Sequence, residues 1–210
     1  SLSELEMLEL NSGKTPANSV ITITLGQNQN LKINNVESSS NRTLSLSDGG
    51  LKVIQEAGEE ILNLTLENVG PETRSKNKDI FIDVAGPGVK TVNVSTIDES
   101  YIVLQNSGGN LSNLNIQGSG VLEMSNFLSD TIKTLNAGSS STSLRALFKT
   151  GDHTITTGSG NDTIIISGGS NNIVLGDGHD SLEIRDGVDN FARTGAGADI
   201  GAWSTGGSLN

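Results

Sequence analysis

The chain has 210 residues, a formal net charge of −11, no cysteine, and 3% aromatic residues beside 26 glycines. The charge argues against a nucleic-acid partner, no apolar run is long enough to span a bilayer, and without thiols an extracellular fold must be stapled by metal instead of disulfides. So few aromatics are poor material for a globular core of large side chains and suit a thin solenoid lined with Ile, Val and Leu, while 18% charged residues exclude a disordered polyelectrolyte.

Ser1-Leu2-Ser3-Glu4-Leu5 is neither basic nor followed by an apolar run, so it does not read as a secretory leader. The expectation is a piece of a longer chain, or export by another signal. Residues 1–60 read as an N-terminal β region, either irregular coils or a small β-domain. Glu4 to Leu10 suits a helix tail or an edge strand. Val20–Leu25, Leu31–Ile33 and Thr43–Leu46 alternate as strands. Ser47-Asp48-Gly49-Gly50 ahead of Leu51–Ile54 reads as a hairpin turn.

From residue 61 to 150 the chain repeats about every 20–22 residues. Val89-Lys90-Thr91-Val92-Asn93-Val94 recurs as Leu111-Ser112-Asn113-Leu114-Asn115-Ile116 and as Ile132-Lys133-Thr134-Leu135-Asn136-Ala137. A second series, Ile80–Val84, Tyr101–Leu104 and Val121–Met124, runs beside it at offsets of 20 to 21. Two interleaved series of one period predict one coil with two strands. Alternation turns the valines of Val92-Asn93-Val94 inward and Asn93 outward. Stacking then lines Asn93, Asn115 and Asn136 into an outer file, either a solvated polar face or an amide ladder along the axis. Ile61–Leu66 reads as an earlier copy, 28 residues before Val89, lengthened by the polar insertion Pro71–Lys78. Arg74, Lys76 and Lys78 make that insertion a surface loop, or a contact for an acidic neighbour.

From Thr150 to Ile184 the period drops to nine. Thr157-Gly158-Ser159-Gly160-Asn161-Asp162-Thr163-Ile164-Ile165 has the form x-G-x-G-x-D-x-U-x, with U apolar, and it returns at Leu175–Glu183 around Asp180. Asn171 and Ile173 fill the Asp and apolar places in between. His153 and Ile155 fill them one step back, and Asp189 and Phe191 one step forward. A nonapeptide of this form is a parallel β-helix repeat that binds Ca²⁺. Glycines let the backbone turn and converge carbonyl oxygens, Asp adds a carboxylate, and calcium takes six to eight oxygens in tolerant geometry. The tail after Phe191 reads as loosening coils, with Trp203 expected to plug the open end.

These residues resemble the RTX β-roll. The run from about Ile61 to Asp199, V-K-T-V-N-V and I-K-T-L-N-A coils followed by G-S-G-N-D-T-I-I-I, is similar to RTX-type bacterial S-layer proteins of the Campylobacter surface-array and Caulobacter kind. The resemblance implies an all-β fold: a right-handed parallel β-helix, coils of about 20–22 residues over 61–150, continuing into a calcium β-roll over 151–200 with a tail at 201–210. It implies that turns two repeats apart stack and share ions. Gly158, Gly160 and Asp162 would then lie under Gly176, Asp177, Gly178 and Asp180, making one good site. Asp180 and Asp199, with Gly197, would make a second, one residue out of register. The side of His153, Asn171 and Asp189 would bind weakly or not at all.

It further implies a non-catalytic, type I secreted protein at the cell surface, a calcium-dependent S-layer lattice whose partner is itself, without membrane insertion or nucleic acid, and with outer-membrane lipopolysaccharide met through regions outside this chain. An adhesin segment that binds a surface ligand is the alternative, and a non-catalytic part of an RTX hydrolase the third reading. No H-E-x-x-H, G-x-S-x-G, nucleophilic cysteine or phosphate-binding glycine loop is present. Asp177 with Asp180 has the spacing of a calcium turn. His179, between Gly178 and Asp180, reads as a solvated turn residue and not a zinc ligand.

Overall fold

The computed structural model describes residues 6–15, 20–38, 50–70, 79–203 and 207–209. It is all-β: eighteen strands and no helix occur among the described residues, so none there is long and apolar enough to cross a membrane. Every strand pair is parallel, and each strand bonds to strands one coil away. One ladder runs through β1 (Met7–Thr15), β3 (Asn30–Ser38), β5 (Ile61–Val69), the first half of β7 (Thr91–Gln105), β8 (Asn113–Gly118), β10 (Thr134–Asn136), β12 (Thr154–Thr156), β14 (Asn172–Val174), β16 (Asn190–Arg193) and β18 (Gly207–Leu209). The other runs through β2 (Val20–Leu25), β4 (Gly50–Gln55), β6 (Ile80–Val84), the second half of β7, β9 (Val121–Leu128), β11 (Ser143–Phe148), β13 (Thr163–Ile166), β15 (Ser181–Ile184) and β17 (Ile200–Trp203). This is a parallel β-helix that continues into a roll. A parallel ladder needs a crossover between partners, and here the opposite strand of the same coil supplies it.

The alternating pattern explains the two faces. In β7 Val92, Val94, Ile102 and Leu104 are buried, while Asn93 and Val103 between them face outward. The inward residues of both ladders form one continuous core of Leu, Ile and Val, including Leu31, Ile33, Leu64, Leu114, Leu135, Ile155 and Ile173. Burying a Leu or Ile of this kind contributes about 1.5–3 kcal/mol. The core therefore grows by a near-constant increment per coil.

Several sequence expectations change. Met7–Thr15 is a strand, which settles Met7–Leu10 of the stretch read as a helix tail or an edge strand; Glu4 and Leu5 lie outside the described residues. β3 bonds to β5 and β4 to β6, so the described part of the first sixty residues forms coils of the same solenoid. The turn expected at Ser47–Gly49 lies outside the described residues; β4 itself pairs in parallel with β2 and β6, because each strand of a coil finds its partner in the next coil. Thr43–Leu46, the basic insertion at 71–78 and the side chain of Trp203 lie outside the described residues. Ile61 faces Thr91, not Val89, so that coil has 30 residues where the next has 22. Ile80 pairs with Ile102, and Ile102 with Met124, which makes the second series 22 residues per coil as well.

The outer amides form a ladder, not a merely solvated face. Asn63 donates to Asn30, Asn93 to Asn63 and Asn115 to Asn93, each at 2.8 Å. Asn136 continues the file in register, but its Oδ1 turns to the Gly138 N–H.

Candidate metal centre

At the end of β11 the coil tightens. Thr163 pairs with Arg145 and Ser181 with Thr163, eighteen residues apart. The place one residue before each of these paired positions is the point of interest. In lower coils it holds the core leucines Leu122 and Leu144; above them it holds Asp162, Asp180 and Asp199. A column of apolar side chains thus becomes a column of carboxylates. Asp162 and Asp180 are each 1% exposed, and Asp199 is half-buried at the top.

One oxygen of each carboxylate is used to hold the coils together. Asp162 Oδ1 accepts the Leu144 N–H at 2.8 Å, Asp180 Oδ1 the Asp162 N–H at 2.8 Å, and Asp199 Oδ1 the Asp180 N–H at 3.1 Å. The other oxygens of Asp162 and Asp180 are buried without a hydrogen-bond partner. Thr157 stands near Asp162, but its hydroxyl donates to the Leu175 carbonyl. Burial pushes the Asp162 pKa up, against the pull of Thr157 and of the Leu144 and Gly158 N–H groups. Burial likewise pushes Asp180 up to about 6; the Asp162 N–H lowers it, and the negative charges of Asp162 and Asp199 raise it. Two adjacent carboxyls therefore resist ionisation for want of a positive partner.

The glycines are explained by close stacking. A Cβ on Gly160 would lie 2.2 Å from the Thr142 carbonyl oxygen, one on Gly178 2.2 Å from that of Gly160, and one on Gly197 1.6 Å from that of Gly178. Gly176 and Gly178 also take φ of 83° and 136°, whereas Gly158 and Gly160 do not need positive φ and are fixed by contact alone. Gly158, Gly160, Asp162, Gly176, Gly178 and Asp180 are thus brought together in stacked turns, with Gly197 and Asp199 one coil higher. Asp177 is not part of the file: its side chain is exposed, and only its N–H is engaged, by the Gly158 carbonyl at 3.0 Å. Among the described residues no three His, Cys, Asp or Glu side chains converge. A cation at Asp162 and Asp180 would therefore take most of its ligands from backbone oxygens. The two orphaned carboxylate oxygens are hard oxygen donors of the kind that Ca²⁺ takes.

The opposite turn differs from expectation. Asn171 Oδ1 accepts the His153 N–H, and Asn190 Oδ1 accepts the Asn171 N–H, both at 3.0 Å. Asn190, not Asp189, takes the Asp place, and Ala192, not Phe191, the buried apolar place. This coil has nineteen residues, and the extra one is taken up in the turn, where Asp189 sits exposed at φ 53°. No carboxylate therefore enters that file. Its His153 is buried against Phe148, with Nδ1 and Nε2 at 3.0 and 3.1 Å from the Ile132 and Lys149 carbonyls, and burial lowers its pKa. His179 is exposed, as a turn residue should be, and its Nδ1 accepts the Ala198 N–H at 3.0 Å.

Asn190 escaped the sequence reading because a one-residue insertion leaves no mark in a degenerate repeat. A surface cavity beside Phe127 and Lys149 escaped it because neither residue belongs to the repeat pattern. Compared with protein-family models, curated proteins and solved structures, the chain matches none.

Proposed function

We propose that the chain is a structural, non-catalytic segment of a calcium-dependent bacterial surface lattice, an RTX-type S-layer protein that reaches the cell surface by type I secretion and meets copies of itself there. The observation that carries this reading is the column in which core leucines give way to Asp162 and Asp180, with two buried carboxylate oxygens that make no hydrogen bond. Asp162, Asp180 and the carbonyls of the glycine turns around them would hold one Ca²⁺; Asp180 and Asp199 would hold a second at the more exposed end. Bound there, calcium would supply the positive charge that lets both carboxylates ionise inside the fold.

The residues themselves do the rest. The Asp side chains tie each coil to the one below, and the glycines let the turns approach closely enough to share a ligand. A net charge of −11 keeps copies apart until cations screen or bridge them. Solenoids present repeated surfaces suited to side-by-side contacts, and heterologous contacts that do not close extend into arrays.

Electron microscopy of the parent protein on lipid, in millimolar calcium and in chelator, tests the reading. Ordered sheets in calcium that disperse in chelator are expected. A protein that stays monomeric at high concentration in calcium would overturn the lattice; identical hydrogen exchange over residues 150–200 in both conditions would overturn the calcium site.

A further inference from the structure

The outer faces of the two ladders differ in kind. The outer face of the second carries Lys52, Glu123, Arg145 and Glu183. On the first, one outer file runs through Thr91, Asn113, Thr134, Thr154 and Asn172 in continuous register. The next file along the same strands runs through Asn93, Asn115, Asn136, Thr156 and Val174. Neither file holds a charged side chain over these five coils, in a chain of net charge −11.

Both ends of the first file are apolar and exposed. It begins at Ile61, which faces Thr91 and is 48% exposed. It reaches Phe191, which faces Asn172 and is 38% exposed. Single exposed apolar side chains are ordinary. Two that close the ends of one uncharged file have the form of anchors around a polar middle. The second file runs from Asn63 at the same lower end to Arg193 at the upper, where the guanidinium lies 5.6 Å from the centre of the Phe191 ring.

We propose that a second copy of this chain docks on this strip, antiparallel, with Ile61 of each copy on Phe191 of the other. The proposal rests on the reading that copies meet one another, and it names the face by which they do. Three properties select this occupant. The strip repeats once per coil, about every 4.8 Å, and a second copy carries the same repeat over the same length. Two acidic copies repel where charge faces charge, so they approach most closely where there is none. A two-fold axis along the strands keeps each file on its own counterpart and reverses the coil order. Ile61 then meets Phe191 at both ends, and Arg193 meets the uncharged Asn63. A two-fold axis along the solenoid would bring the two Arg193 side chains to the same height, which their like charges oppose.

Area sets the strength. Six coil steps separate Ile61 from Phe191. At about 4.8 Å per step and a width of about 15 Å, the strip covers about 430 Å² of each copy. A standard stable pair buries about 800 Å² per side. The contact is therefore weaker than micromolar, and it forms where copies are already concentrated.

The test uses the whole chain at high concentration in millimolar calcium. The chain has no cysteine, so single cysteines can be placed on a clean background. Chains carrying Ile61→Cys and Phe191→Cys are treated with a bismaleimide that spans the about 10 Å between facing sheets. The mixture should cross-link at least tenfold faster than either variant alone. Linkage of each variant only with itself would mean a parallel contact, and no linkage would leave the strip to another partner; either result overturns the proposal. Sedimentation equilibrium gives a second readout. Ile61→Lys and Phe191→Glu should each weaken self-association about a hundredfold, because a two-fold contact carries each change twice. Combined in one chain they should regain at least tenfold, because the new charges are then opposite at both ends. Both side chains are exposed, so circular dichroism should show folded variants. A combined variant no better than the single ones overturns the antiparallel placement. Ordered sheets on lipid that persist with Ile61→Lys overturn this contact and leave the lattice reading standing; a positive cross-link without sheets of the parent protein does the reverse.

Discussion

Asp180→Asn should uncouple the metal-free stability of residues 150–200 from pH. The Asp180 carboxyl is 1% exposed, and its pKa stands at about 6 against an ordinary 3.8. A folded pKa above the unfolded one contributes stability that is complete below about pH 4 and lost as pH rises through about 6. At about 1.36 kcal/mol per pKa unit, the gap is worth about 3 kcal/mol at most. Water at the exposed turn tips, where Asp177 and His179 sit, screens part of it, so about 1–2 kcal/mol is expected. Asn keeps the Oδ1 that accepts the Asp162 N–H, so the coil contact survives the change.

His153 works the other way: its lowered pKa makes the fold lose stability as pH falls below about 6.5. The parent chain alone therefore reports a sum, and the difference from Asp180→Asn isolates the carboxyl. Urea unfolding in chelator, followed by circular dichroism at steps from pH 7.5 to 4.5, should show Asp180→Asn more stable at pH 7.5 and the two chains converging at 4.5. In millimolar calcium the order should reverse, because metal binding needs the ionised form. Parallel curves in chelator, or a less stable variant at pH 7.5 without metal, would refute the reasoning.

Three further outcomes are expected. Asp180→Ala should weaken calcium binding more than Asp189→Ala by calorimetry, since Asp180 is shared by two turns and Asp189 lies exposed across the roll. Gly178→Ala places a Cβ 2.2 Å from the Gly160 carbonyl at a φ of 136°, and should cost about 1–3 kcal/mol in denaturant unfolding even with calcium present. Asn93→Ala breaks two amide bonds of the outer file and should cost about 1–2 kcal/mol, whereas Asn136→Ala, off the end of the ladder, should stay within about 0.5 kcal/mol.

The coils from Val89 onward were legible because period-2 alternation and a steady spacing both survive in the sequence: Val92, Leu114 and Leu135 align in the register their spacing implies. The turns around Asp162 and Asp180 were legible for a stronger reason, since glycine there is dictated by contact with the carbonyl of the coil below and no other residue fits. Ile61 was misaligned by two residues because Leu-x-Leu-x-Leu pairs equally well after a shift of two, which leaves the inward face unchanged. Asp189 was misassigned for a related cause: a single added residue in a turn moves the Asp place to Asn190 without disturbing any buried contact. The bulge at Asn126 of β9, whose amide bonds the Leu104 N–H and carbonyl, leaves no signal at all, because a side-chain amide substituting for a backbone bond has no periodicity.

Because each strand bonds only to strands one coil away, at separations of 17 to 33 residues, the molecule behaves as a one-dimensional stack. Damage in such a stack stays local. Coils tied by the outer asparagines carry their own bonds, while under the proposed reading the two or three coils joined through Asp162, Asp180 and Asp199 would rest on bound calcium. Falling calcium should therefore peel the chain from the carboxylate side and stop where Leu144 replaces aspartate in the column. Amide exchange along the axis would record that stop as a step in protection between residues 144 and 162, a built-in boundary between a permanent rod and a segment that the surrounding medium switches on.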